Sequence, residues 1–272
     1  MSQPVLPPSG YHRVNPEQTR ESSRHWWDEN AQDYLNEFGE FLGEVDFCWC
    51  PESVREQQVN FLGDISSLRT QRILEIGCGA AQASRWLKSL GVPVVATDIS
   101  LSMLQAGHDL NRKNNQDFPL LQCDARQLPF TPSTFDQVFT AYGVIPFISE
   151  LSQLHREVFK SLKPGGFWTF STVHPLRWVF LDDPSEHGLE AVRSYFDSRP
   201  YIESENNQVT YAEYHHTLQE HFSTLIDAGF ELTRVVEPEW PADLDHIWGG
   251  WSPTRGKLIP GTLIVRAHKP VS

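Results

Sequence analysis

The sequence predicts an α/β fold built on a mostly parallel sheet with helices on both faces, and three observations lead there. Short apolar runs alternate along the chain with segments of helical periodicity. The first run, in "RILEIGCGAAQASRWL" at residues 72–87, breaks at Gly77 and Gly79 and passes directly into a helix-like pattern. The next two runs end in aspartates, Asp98 and Asp124. Strands alternating with helices imply a parallel sheet with right-handed crossovers, covered on both faces.

In chain order, residues 1–16 are rich in Pro and Ser and predict a loose arm. Trp26, Trp27, Ala31, Tyr34, Leu35 and Phe38 recur at helical spacing, so an amphipathic helix is expected from Pro16 to Phe41. Pro51 suits a first-turn position, and a second helix is expected from there to Leu68. Strands are expected at 72–76, 93–97, 119–122, 136–141 and 166–172, with helices at 80–90, 100–114 and 148–162 between them. The stretch "DARQLPFTPST" is too short and too rich in Pro and Thr for a helix between the third and fourth strands. Beyond His174 comes an insertion of weak periodicity to about residue 211. A helix at 213–228 follows, closed by Gly229 in a left-handed position, and then strands at 230–236 and 262–268.

Composition narrows the function. With 272 residues the chain holds one sizeable core with additions. A hydrophobic share of 39%, with 21% charged residues, is that of a soluble protein, and no apolar run approaches the roughly 18 residues of a membrane span. The opening "MSQPVLPPSGYHRVNP" lacks the basic and apolar regions of a signal peptide, so the cytoplasm is expected. A net charge of −13 repels phosphate backbones, which argues against a nucleic-acid partner. The four cysteines, at 48, 50, 78 and 123, read as thiols. "CWC" at 48–50 has no second Cys or His pair at a zinc spacing, and no metal is expected.

In a doubly wound sheet the ligand lies across the carboxyl ends of the strands, so the residues ending each strand are the candidates. Gly77 and Gly79 let backbone approach a ligand beside a helix N-terminus. Asp98, 23 residues after Glu75, is placed to accept ribose hydroxyls. A dinucleotide site would want a further glycine at position 82, where Gln82 stands.

"EIGCG", "TDIS" with Met103, "CDARQLPF", "FDQVFTAYG" and "LKPGGF" follow one another at the strand ends. In this combination the chain resembles the class I S-adenosylmethionine-dependent methyltransferases, in their small-molecule type 11 branch. The resemblance is close over 70–175 and looser in the closing helix and strands. It implies a Rossmann-like, seven-stranded, mostly parallel sheet with a helical and aromatic lid. The expected organisation is an N-terminal arm and helical lid at 1–70, a cofactor-binding core at 71–173, an insertion near the acceptor site at 174–212, and a closing helix and strands at 213–272. S-adenosyl-L-methionine is the implied cofactor. By resemblance, Gly77, Cys78 and Gly79 would contact its methionine moiety, with Glu75 orienting the turn. Asp98 would bind the ribose, Asp124 the adenine amine and the Ala125 backbone another adenine nitrogen. Ile99 and Met103 would pack on the purine, and Ala141 and Tyr142 would lie beside the sulfonium. The family prefers glycine where Ala81 stands, a departure that the turn tolerates if it passes that point with negative φ.

Methyl transfer from a sulfonium needs alignment and exclusion of water, and a base only for a weakly nucleophilic acceptor. His174, directly after strand five, and His215, before the last helix, are the candidate bases, with Tyr142 the third candidate catalytic residue; His216 and His221 read as solvated. Seven of the nine tryptophans lie outside 71–173, which suggests an aromatic-lined pocket for an apolar, aromatic or cationic small-molecule acceptor. The reaction expected is methyl transfer to oxygen or nitrogen. The rival readings are a non-catalytic S-adenosylmethionine-binding protein and a methyltransferase acting on RNA or protein.

Overall fold

The computed structural model describes residues 6–271; the first five residues of the expected arm, and Ser272, lie outside the described residues. In chain order the strands are β1 (Ser9–Tyr11), β2 (Ile73–Ile76), β3 (Val94–Asp98), β4 (Leu120–Gln122), β5 (Phe135–Ala141), β6 (Leu162–Val173), β7 (Tyr201–Glu205), β8 (Gln208–Glu213), β9 (Glu231–Val236) and β10 (Thr262–His268). The helices are α1 (Pro16–Leu42), α2 (Glu56–Val59), α3 (Ile65–Leu68), α4 (Gln82–Ser89), α5 (Leu101–Lys113), α6 (Leu151–Ser161), α7 (Leu218–Asp227) and α8 (Pro253–Gly256). None is long and apolar enough to cross a membrane.

Seven strands form one sheet in the order β4-β3-β2-β5-β6-β10-β9, in which only β10 runs antiparallel to its neighbours. Side chains alternate across each strand, so Ile73 and Phe139 enter one apolar core while Leu74 and Val138 enter another on the opposite face. Strand order reverses between β2 and β5, and the carboxyl ends of these two strands diverge around a cleft.

The flanking regions depart from expectation. The arm is not loose: β1 pairs antiparallel with β7, and β7 with β8, in a separate three-stranded sheet. The hairpin between β7 and β8 turns on Asn206 and Asn207, with φ of 52° and 63°, the left-handed pair that a tight turn matching strand twist requires. The single helix expected over Pro51–Leu68 is instead two short helices. Asn60 (φ 49°) and Gly63 (φ 107°) break it, and the buried Glu56 carboxylate winds the chain by accepting from Phe61 N at 2.9 Å, Leu62 N at 2.7 Å and Trp49 Nε1 at 2.8 Å. Helix α1 starts at Pro16, capped by the Asn15 side chain, and packs along β8; Tyr214, just past that strand, donates from its Oη to Thr19 Oγ1 at 2.7 Å.

The turn after β2 is left-handed at Gly77 (φ 64°), Gly79 (φ 53°) and also Ala81 (φ 60°), so the negative φ that would suit an alanine there is not adopted. The neighbours dictate it: Ala81 N donates to Cys78 O at 2.8 Å, while its own carbonyl accepts the first bond of α4 from Arg85 N at 2.9 Å. That conformation costs an L-residue roughly 1–2 kcal/mol. Relief of this strain should offset the loss of a buried methyl, so Ala81→Gly is expected to change stability by less than about 1 kcal/mol. Ala83→Gly, at a buried helical position of α4, should cost about 1.5 kcal/mol; urea unfolding of the two variants side by side checks the difference.

Candidate functional site

The cleft at the carboxyl ends of β2, β3 and β5 encloses about 1130 Å³ including its open mouth. Glu75, Gly77, Cys78, Gly79, Asp98, Ile99, Met103, Asp124, Ala125 and Ala141 all line it, although they come from four strand ends spread over 67 residues. A Cβ on Gly77 would stand 2.1 Å from Val144 Cγ2, so only glycine lets the turn pass under the β5 end. A Cβ on Gly79 would meet nothing within 4 Å; there the backbone faces open space.

The three carboxylates of this wall have different states. Glu75 is buried, and its Oε2 accepts from Ser84 N at 3.1 Å and from Ser84 Oγ, capping α4 where Ala81 has no side chain to do so. Burial lifts its pKa to about 8 against these two bonds, so at neutral pH it holds its proton. Asp98 accepts from Gly79 N at 2.8 Å through one oxygen and from Ser100 N at 2.9 Å through the other; burial raises its pKa to about 6 in spite of them. Each oxygen keeps a lone pair for a further donor. Asp124 is more heavily engaged. It accepts from Arg126 N, Nε and Nη2 at 2.9, 3.1 and 2.9 Å, and from Arg20 Nε at 2.7 Å. Burial works to raise its pKa, but the Arg126 bonds and the two guanidinium charges hold it below the usual range.

The three candidate catalytic side chains do not join this wall. Tyr142 has φ 67° and donates its N–H to Ser171 O and Oγ, and this backbone turns its ring toward Trp248, edge-on with centroids 6.3 Å apart. Its hydroxyl is buried without a partner among the described residues. His174 and His215 line a second, smaller cavity of about 290 Å³ with Arg177 and Glu213. His174 Nδ1 accepts from Leu176 N at 3.1 Å, so Nε2 carries the hydrogen and donates to Glu237 Oε1 at 2.7 Å. His215 Nε2 bonds Tyr195 O at 2.7 Å, and its ring stacks on Trp178. His216 and His221, expected to be solvated, are buried. His216 is held by Ile148 O at 2.7 Å and Glu220 Oε1 at 3.0 Å, and His221 faces Phe170 of β6.

Several residues escaped the motif reading. Arg85, fully buried, donates to Ala80 O at 2.6 Å, Gly107 O at 3.1 Å, Asn111 Oδ1 at 2.8 Å and Glu44 O at 2.5 Å. Asp28 Oδ1 accepts from Ser100 Oγ at 2.7 Å and Ser102 N at 3.1 Å, clamping α1 onto the start of α5. Arg20, Ser23, Trp27 and Tyr34 line the cleft from one face of α1, at spacings of three, four and seven. That spacing was visible, but the two polar members hid a face otherwise read as apolar. Of the seven outlying tryptophans only Trp27 lines the cleft; Trp49, Trp178, Trp240 and Trp251 are buried in the surrounding structure.

Comparison with known proteins gives this cleft its class. Residues 74–170 match the family model described as a methyltransferase domain. A demethylmenaquinone methyltransferase of Paenarthrobacter aurescens is 31% identical over 211 residues, covering 74% of this chain and 70% of the relative. A second protein of that name, from Streptomyces avermitilis, is 35% identical over 117 residues, covering 41% of this chain and 48% of the relative. The chain spans about half the length of most of the curated relatives it matches. Among solved structures, a Burkholderia thailandensis 1,6-didemethyltoxoflavin-N1-methyltransferase superposes with TM-score 0.60 at 14% identity, over 97% of this chain and 94% of its own. The chain belongs to the class I S-adenosylmethionine-dependent methyltransferases, in the type 11 methyltransferase-domain family.

The state of Glu75 has a measurable consequence. The folded carboxyl binds its proton more tightly than the unfolded one, whose value is near 4.5. The stabilisation is therefore full below that value and is lost as pH rises through about 8. Glu75→Gln, which keeps the shape and carries no titrating proton, should flatten this decline; urea midpoints measured at about pH 5 and about pH 9 check it.

Proposed function

We propose that this protein transfers a methyl group from S-adenosylmethionine to an oxygen or nitrogen of a small, mainly apolar acceptor in the cytoplasm. The observation that carries the reading is a single cleft in which a left-handed glycine turn and two strand-end aspartates face an aromatic wall. The residues present fit the cofactor. Gly77, Cys78 and Gly79 line the cleft, with the Gly79 backbone facing open space, Asp98 has lone pairs for two ribose hydroxyls, and Ile99 and Met103 present apolar faces for a purine. Ala125 and Ala141 complete the walls at either end. When bound, the cofactor supplies an electrophilic methyl group whose sulfur departs neutral.

The chain's part is to hold the acceptor in line and exclude water, effects worth up to roughly 7–11 kcal/mol. His174 and His215 are bonded to groups outside the cleft, so the acceptor's own acidity takes the place of a histidine base. The same observation favours a second reading, a protein that binds the cofactor without turnover. Relatives named for demethylmenaquinone support a planar acceptor over RNA or protein.

All four donors on Asp124 would compete with an adenine amine, and Arg20, half exposed on α1, is the one free to leave. Calorimetry tests the assignment. S-adenosylhomocysteine should bind the wild type, more tightly as pH rises through about 6 and the Asp98 carboxylate ionises. Asp98→Asn should weaken binding about tenfold or more and remove that pH dependence. Arg20→Met should tighten binding. Absence of binding by folded protein, together with binding of NAD, would overturn the reading.

A further inference from the structure

Most of the charged groups that line the cleft are already engaged. Asp98 and Glu75 are bonded to the turn and to α4, and Arg20 and Arg126 share Asp124. Asp46 is paired with Arg55 at 3.0 Å and accepts from Phe47 N at 2.7 Å. A charged acceptor entering beside the cofactor would lose its hydration without gaining a counter-charge from these side chains, which is costly in an apolar site. The remaining wall is aromatic and aliphatic. Trp27 meets Tyr34 edge-on at 5.3 Å and Phe147 edge-on at 5.5 Å, and Leu42 and Cys48 adjoin them. Behind Tyr34, Trp248 stands edge-on at 6.2 Å and is itself stacked on Phe38 at 4.0 Å, so the wall is braced from outside.

Within that wall the Tyr34 hydroxyl stands apart. No group among the described residues hydrogen-bonds it, and Tyr34 is one of the residues that line the cleft. Burial, with the neighbouring Cys48 and Glu37, pushes its ionisation far above the usual tyrosine value, so it remains a neutral O–H donor. The Cys48 thiol beside it is turned away, donating to Cys50 O at 3.1 Å. The other unpartnered polar groups of the lining differ in place: Gln82 belongs to the start of α4 at the glycine turn, and Ser23, whose hydroxyl is buried, lies three residues from Arg20 and three turns along α1 from Tyr34.

Building on the proposed function, we infer that Tyr34 is the residue that recognises the methyl acceptor, and that the acceptor is an uncharged planar ring compound bearing an oxygen on its edge. The ring lies against Trp27 and Phe147, and its oxygen accepts the Tyr34 hydrogen bond. Pockets of this kind draw affinity from apolar walls and orientation from one or two placed donors. Tyr34 therefore sets which edge of the ring faces the glycine turn and the end of β5. It is a positioning and specificity residue, and the proton of the transfer does not pass through it.

The test uses three probes of one ring size, 2-naphthol, naphthalene and 2-naphthoate, titrated into wild type and Tyr34→Phe with and without saturating S-adenosylhomocysteine. Quenching of tryptophan fluorescence reports binding. The wild type should prefer 2-naphthol to naphthalene, and bind 2-naphthoate at least about tenfold more weakly than 2-naphthol. Tyr34→Phe should weaken 2-naphthol about three- to tenfold and leave naphthalene unchanged. A looser fold would weaken both probes together, so the ratio within each protein isolates the hydroxyl. Equal 2-naphthol affinity in both proteins, tighter binding of the naphthoate, or no binding of any probe would each overturn the inference. Failure of S-adenosylhomocysteine to bind would count against the proposed function alone, because the naphthol-to-naphthalene ratio is also read without it.

Discussion

Four segments of this protein meet on one buried guanidinium. Arg85 of α4 bonds the carbonyl of Ala80 in the glycine turn, Gly107 and Asn111 of α5, and Glu44 beyond the end of α1. Among the described residues it has no carboxylate partner at bonding distance, and burial pulls its pKa down from the usual arginine value, with the field of Glu44 opposing. A charge so placed is held only while all its oxygens stay in position, because an uncompensated buried ion is strongly destabilising. The turn, the helix that follows β3 and the end of α1 are thereby fixed relative to one another before any ligand arrives.

Around that anchor the cleft is kept open by backbone in unusual conformations. Gly77, Gly79 and Ala81 are left-handed on one side and Tyr142 on the other, and Val144 occupies the space that a side chain on Gly77 would need. Strain of this sort persists only where the surroundings determine it, and it gathers where a ligand must approach backbone. Here the Asp98 carboxylate, bonded to Gly79 N and Ser100 N, joins the turn to the start of α5. The group suited to gripping a sugar is thus also the one that shapes the turn.

The sheet and its flanking segments show how far local pattern carries. Seven strands and the helices between them could be read because period two and period 3.6 are properties of short segments, and β10 at Thr262–His268 matches its expected range. The segment 51–68 misled because Glu56, polar and unremarkable in sequence, turns inward to bond three N–H groups supplied partly by Trp49 before it and partly by Phe61 and Leu62 after it. His216 and His221 looked solvated on a helix with polar neighbours, yet α7 lies against α6, its His221 faces a buried ring, and His216 in the segment leading into α7 meets a buried carbonyl. The arm became a strand only because β7 offers it an edge. In each case the deciding partner is distant in the chain.

By itself the sequence determined the alternating α/β plan, the glycine turn and the acidic residues that end β3 and β4, since each follows from the chemistry of a few consecutive residues. Tertiary structure decided which side chains share the cleft. It moved His174 and His215 to a different cavity, brought Arg20 to Asp124, and set one face of α1 opposite the strand ends. The physical reason is that orientation across 50 or 100 residues depends on how a sheet twists and what packs on it, and no short window of residue types encodes that.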